Sequence, residues 1–153
     1  MCKVYSMELD PERHPVLVAE KDLEYNTDKA SSPEIVFKTF EEAFRLSHLA
    51  EENLCLLALD AKSQPLGLFR VFIGTACSAF CNPREIFIRA LVVGATQIIV
   101  IHNHPSGDPS PSPEDFGCMN KLRELGKVMD VKLVDFLIVG DGAYYSAAES
   151  SEL

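Results

Sequence analysis

The chain has 153 residues, 47% of them apolar and 24% charged, with a net charge of −9. That length suits one domain with a sizeable core, and the balance is ordinary for a soluble globular protein. No apolar run approaches the roughly 20 residues of a membrane helix, Met1–Tyr5 has no signal-peptide pattern, and the acidic balance removes any overall attraction to nucleic-acid phosphates. The basic residues Arg84, Arg89, Lys121, Arg123, Lys127 and Lys132 form no run, so direct nucleic-acid binding is not expected. The cysteines, Cys2, Cys55, Cys77, Cys81 and Cys118, are odd in number and irregularly spaced, with no Cys-x-x-Cys. They argue against a sulfur-ligated zinc site and for a reducing compartment, hence the cytoplasm.

In chain order, Lys3–Leu9 and Pro15–Ala19 read as an N-terminal hairpin around the turn Asp10-Pro11-Glu12-Arg13. Its edge could pair with a partner's strand or with a second copy in a homodimer. Asn26–Ser32 is a polar linker. Ser32-Pro33 opens a helix whose Val36, Phe40, Ala43, Phe44 and Ser47 share one face. Asn53–Leu59 and Leu66–Thr75 read as strands joined by a polar turn. Asn82-Pro83-Arg84-Glu85 starts a helix that runs to about Val93 and stops at Gly94.

Gln97–Ile101 is continuously apolar, as in a strand buried on both faces. A Pro/Ser/Gly loop, 105–111, leads to a helix from Ser112-Pro113 to about Gly126 or Met129. Val131–Val139 is a strand, Gly140-Asp141-Gly142 a hairpin turn, and Ala143–Ser146 its return. The small, polar tail is expected to fray. The alternation of strands and helices predicts one α/β (α+β) domain, a mixed curved β-sheet flanked by helices.

The residues with chemistry follow the Gln97–Ile101 strand. His102 and His104 stand at i and i+2, so on a strand they point to the same side. Asp115 falls in the first turn of the next helix, which the short Pro-rich loop returns to the strand end. Two imidazoles and a carboxylate are first-choice ligands for a zinc ion that keeps a position open for water. Ser112-x-x-Asp115 is also the pattern of a capping box, and Asp108 in Gly107-Asp108-Pro109 is a competing carboxylate in a typical turn. Hydrolysis also needs a base, and Glu51 and Glu52 both precede the Asn53–Leu59 strand; spacing alone does not choose between them.

The pattern Glu52 … His102-x-His104-Pro105-x6-Ser112-x-x-Asp115 resembles the JAMM motif of JAB/MPN-type metalloproteases. Its surroundings resemble the RadC-like branch: His102-Asn103-His104-Pro105-Ser106-Gly107-Asp108, Pro111-Ser112, Gly74-Thr75, Asn82-Pro83-Arg84-Glu85, and Asp135 followed by Ile138-Val139-Gly140. The resemblance covers about residues 47–148 and sets the family's glutamate at Glu52. It implies a JAB/MPN, cytidine-deaminase-like architecture: residues 1–46 as hairpin and helix packed on the core, 47–148 as the JAB/MPN domain, 149–153 as a frayed tail.

The resemblance also implies a zinc hydrolase that cuts amide or isopeptide bonds in a peptide or protein. His102, His104 and Asp115 would hold Zn²⁺, Glu52 would act as general base, and the Ser112 hydroxyl would stabilise the oxyanion. Phe136 stands where this branch has a histidine, and the DNA-binding helices common N-terminal to the branch are replaced here by a hairpin and one helix. Two alternatives stay open: a DNA-repair accessory, after the branch name, and a catalytically silent binding module. A zinc nucleoside deaminase is excluded, because its His-x-Glu and Pro-Cys-x-x-Cys ligands are missing.

Overall fold

A computed structural model describes residues 1–24, 32–74 and 82–153. Seven strands form one mixed sheet: β1 (Cys2–Leu9), β2 (Pro15–Leu23), β3 (Asn53–Leu59), β4 (Pro65–Ile73), β5 (Gln97–Asn103), β6 (Lys132–Val139) and β7 (Tyr144–Ser146), in the order β2-β1-β4-β3-β5-β6-β7. β1 runs parallel to β4 and β5 parallel to β6; every other neighbouring pair is antiparallel. Among the described residues, three α-helices cover it: α1 (Pro33–Phe44), α2 (Pro83–Val92) and α3 (Pro113–Val128). This is the expected α/β architecture, and the hairpin strands belong to the same sheet as the rest.

Period-2 alternation sorts the central strands into two cores. Cys55, Leu57 and Leu59 of β3 join Ile99 and Ile101 of β5 beneath Val36 and Phe40 of α1. Leu54, Leu56 and Ala58 join Ile98 and Val100 on the opposite face, under Ile86 of α2 and Leu122 of α3. With helices on both faces, every residue of β3 is buried, which is why its sequence runs apolar without alternation. Each fully buried Leu or Ile contributes about 1.5–3 kcal/mol.

Several boundaries differ from the sequence reading. β2 extends to Leu23, because Lys21, Asp22 and Leu23 keep pairing with Val4, Lys3 and Cys2 although their side chains are mostly polar. β5 runs two residues further, through His102 and Asn103, which pair with Ile138 and Val139. Ser32 and Asn82 stand at the N-caps of α1 and α2 but make no side-chain capping bond. The linker residues 26–31 and Thr75, expected at the end of β4, lie outside the described residues.

The tail does not fray. Ala147 N–H donates to Phe136 O (3.1 Å), Ala148 N–H to Asp135 Oδ1 (3.0 Å), Ser150 N–H to Ser146 O (3.1 Å) and Glu152 N–H to Ala147 O (2.9 Å). The buried Asp135 carboxylate organises this turn, also accepting Ser146 Oγ–H at 2.6 Å. Among the described residues, no helix is long and apolar enough to cross a membrane. Cys2 and Cys55 are free, and burial pushes both thiols up to about 12. Cys118 is disulfide-bonded, whereas the expected reducing compartment would keep it a thiol. Cys77 and Cys81 lie outside the described residues.

Candidate metal centre

Three parts of the fold meet at one end of the sheet. The end of β5 supplies His102, the residue just past it supplies His104, and the first turn of α3 supplies Asp115. One ligand atom from each lies within 4.8 Å of the others. Nε2 of His102 is 3.2 Å from Asp115 Oδ1, and Nε2 of His104 is 3.3 Å from Asp115 Oδ2. The imidazoles meet edge to face, 4.9 Å between centroids. His102 Nε2 is buried and has no hydrogen-bond partner. A buried imidazole nitrogen left unpaired beside a carboxylate costs free energy, and a cation with nitrogen and oxygen ligands would satisfy it. The donor set therefore fits zinc.

The loop between strand and helix holds the second histidine. His104 N–H donates to Val139 O (2.8 Å), which carries the β5–β6 ladder one residue past the strand. Nδ1 of His104 lies 2.9 Å from the Asp108 carbonyl and is therefore its donor, leaving Nε2 free to ligate. The Asp108 carboxylate turns away to accept Ser110 N–H (2.9 Å) and is exposed. Its carbonyl orients the site, and its side chain stands outside the cluster. Gly107, at φ +85°, turns its carbonyl to accept Asp141 N–H (2.9 Å), docking the loop on the β6–β7 turn. Gly140 permits that contact: a Cβ there would lie 2.3 Å from Gly107 O.

Asp115 serves the helix as well. Its Oδ2 accepts Ser112 N–H and Ser112 Oγ–H, each at 2.7 Å, while Asp115 N–H donates to Ser112 Oγ at 3.2 Å. This is the capping box read from the sequence. The box and the cluster share the carboxylate: Oδ1 faces His102, while Oδ2 takes both Ser112 bonds and also faces His104. The Ser112 hydroxyl proton is engaged with Asp115, so service to a substrate oxyanion would exchange that bond.

Of the two glutamates, Glu51 is exposed and Glu52 half-buried. Glu52 is near enough to His104 for its charge to help raise that imidazole's pKa. The larger causes there are the adjacent Asp115 carboxylate, which raises it, and burial, which opposes. Burial pushes His102 down to about 4, against attraction from Asp115. Burial works to raise the Asp115 carboxyl, but the two histidines and the Ser112 bonds together hold it well below the usual carboxylate range. His102 is thus a neutral donor and Asp115 an ionised one.

The structure adds the surroundings of Phe136, the departure noted in the sequence, and a role for Asn103 that the sequence reading lacks. Phe136 is buried with its ring 5.6 Å from the His102 ring, an apolar wall where a histidine was expected. Asn103, the spacer of His-x-His, is 1% exposed and bonds the main chain beside Glu52. Neither role is visible before the sheet register is known.

The RadC-like JAB domain family matches residues 30–152 of the chain. A UPF0758 protein of Pelobacter propionicus is 36% identical over 128 residues, 84% of this chain and 55% of that protein. A UPF0758 protein of Clostridium kluyveri is 42% identical over 105 residues, 69% of this chain and 46% of the relative. A third, of Shouchella clausii, is 40% identical over 119 residues, 78% and 51% respectively. The chain spans about half the length of these curated relatives.

Proposed function

Because the chain belongs to the RadC-like JAB domain family, we propose that it is a zinc-dependent hydrolase of amide or isopeptide bonds. The observation that carries the proposal is the convergence of His102, His104 and Asp115, with the orphaned His102 Nε2 facing Asp115 and Glu52 beside His104. His102, His104 and Asp115 would hold the zinc ion, which would supply Lewis acidity and acidify water at the site. The Glu52 carboxylate takes the proton of the attacking water and returns it to the leaving amine. The Ser112 hydroxyl, released from Asp115 Oδ2, donates to the oxyanion. The Phe136 wall keeps water from the buried side of His102.

The substrate of this reading is a peptide or protein. Direct nucleic-acid binding has no part in it: the net charge is −9 and long-range attraction to phosphates is absent. The test is elemental mass spectrometry on untagged protein, followed by a screen of fluorogenic peptide and isopeptide substrates. One zinc per chain and turnover abolished by Glu52→Gln without loss of zinc are expected. Absence of zinc after reconstitution, or unchanged turnover in Glu52→Gln, would overturn the proposal.

A further inference from the structure

We infer that the Asn103 side-chain amide is a positioning residue for Glu52, an inference that rests on the hydrolase reading above. The last backbone pair between β3 and β5 joins Leu54 to His102. One residue on, the Asn103 amide replaces the missing rung. Its Oδ1 accepts Asn53 N–H at 2.7 Å and its Nδ2 donates to Glu51 O at 3.1 Å. Those two groups belong to the peptide units immediately before and after Glu52. Asn53 Nδ2 donates to the same Glu51 carbonyl (2.8 Å), and Gly74 N–H donates to Glu52 O (2.7 Å) from the end of β4. The main chain of Glu52 is therefore held from β5 on one side and β4 on the other.

The chemistry of the amide explains its presence. A buried polar side chain costs free energy unless each of its groups is paired, and an apolar residue would fill the same volume. An amide offers an acceptor and a donor at the spacing of a peptide group, which continues a β-ladder where the main chains have parted. Asn103 also lies between His102 and His104. The three-residue run that aims the two imidazoles thus also fixes the glutamate against them, so base and ligands move as one body.

The experiment uses the full chain loaded with cobalt(II), whose d–d bands report on groups around the ion. It also follows amide hydrogen exchange by NMR. Asn103→Ala should bind one cobalt per chain and shift the bands in the direction that Glu52→Gln shifts them. Exchange at Asn53 should rise about tenfold, the loss of one hydrogen bond, while Leu56 and Val100 stay protected. Wild-type bands in Asn103→Ala, alongside shifted bands in Glu52→Gln, would overturn the inference. Bands unchanged by Glu52→Gln would remove Glu52 from the ion's surroundings, and the inference would fall with the base. Failure of the wild type to bind cobalt would instead strike the hydrolase reading, while Asn53 exchange would still report whether the clamp exists. If Asn103→Ala does not fold, Asn103→Asp carries the cobalt-band half of the test, with Asn53 exchange expected to stay near wild type. It keeps the acceptor for Asn53 N–H and sets an oxygen against Glu51 O.

Discussion

Asp115 caps a helix and faces two imidazoles, and these duties separate in a thermal experiment. Ser112→Ala removes the bond from Asp115 N–H to Ser112 Oγ and the hydroxyl bond to Oδ2, but leaves Ser112 N–H on Oδ2 and leaves Oδ1 toward His102. A lost cap costs about 1 kcal/mol. At about 2.1 cal/mol/K per residue, the unfolding entropy of this chain is roughly 0.3 kcal/mol/K, so 1 kcal/mol corresponds to about 3 °C. Zinc at a thousand times its dissociation constant adds about 4 kcal/mol, or about 12 °C. Scanning calorimetry with EDTA and with excess zinc should show Ser112→Ala melting about 3 °C below wild type in EDTA, with the full zinc increment intact. Asp115→Ala should lose at least as much in EDTA and gain almost nothing from zinc. A full zinc increment in Asp115→Ala, or none in Ser112→Ala, would refute the separation of helix capping from ion binding at Asp115.

Two further outcomes are expected. Gly140→Ala drives a methyl into the Gly107 carbonyl, backbone against backbone; overpacking of about 1–3 kcal/mol should lower Tm by about 3–9 °C and weaken zinc in a chelator competition, and a melting point within a degree of wild type would contradict it. In metal-free protein the His102 ring should stay neutral until pH nears 4, as read by ring ¹⁵N shifts. Its folded pKa lies below the unfolded 6.5, so its contribution to stability is complete above 6.5 and drains away as the pH falls toward 4. His104, raised, acts with the opposite sign: its contribution is complete below 6.5 and is lost as the pH rises through its folded pKa. A His102 ring titrating at the ordinary value would show that it is solvated.

The ligand cluster was legible because it lies in one stretch, where His-x-His and a capped helix start can be read by spacing alone. The buried strands were legible for the same reason: after Asn53, the strand runs apolar from Leu54 to Leu59 because both of its faces are covered. What stayed hidden depends on partners distant in the chain. β5 was read as ending at Ile101 because His102 and Asn103 are polar, yet both pair with β6. The tail was read as frayed because Ala147–Leu153 is small and polar, and nothing local announces that Asp135 holds Ala148. The work of Asn103 required knowing which residue of β3 lies opposite it.

The residues of the candidate metal cluster are close in sequence while the proposed base is remote, and this orders events during folding. His102 and Asp115 belong to one strand–loop–helix unit, but Glu52 precedes that unit by ~50 residues and reaches it only when β3 pairs with β5. Closing the shorter loop costs about 1 kcal/mol less chain entropy. The His102–Asp115 cluster can therefore assemble ahead of the glutamate, and on the proposed reading hydrolytic competence would arrive last. On the proposed hydrolase reading, a half-folded chain holding an ion would lack the base with which to cut its own exposed backbone.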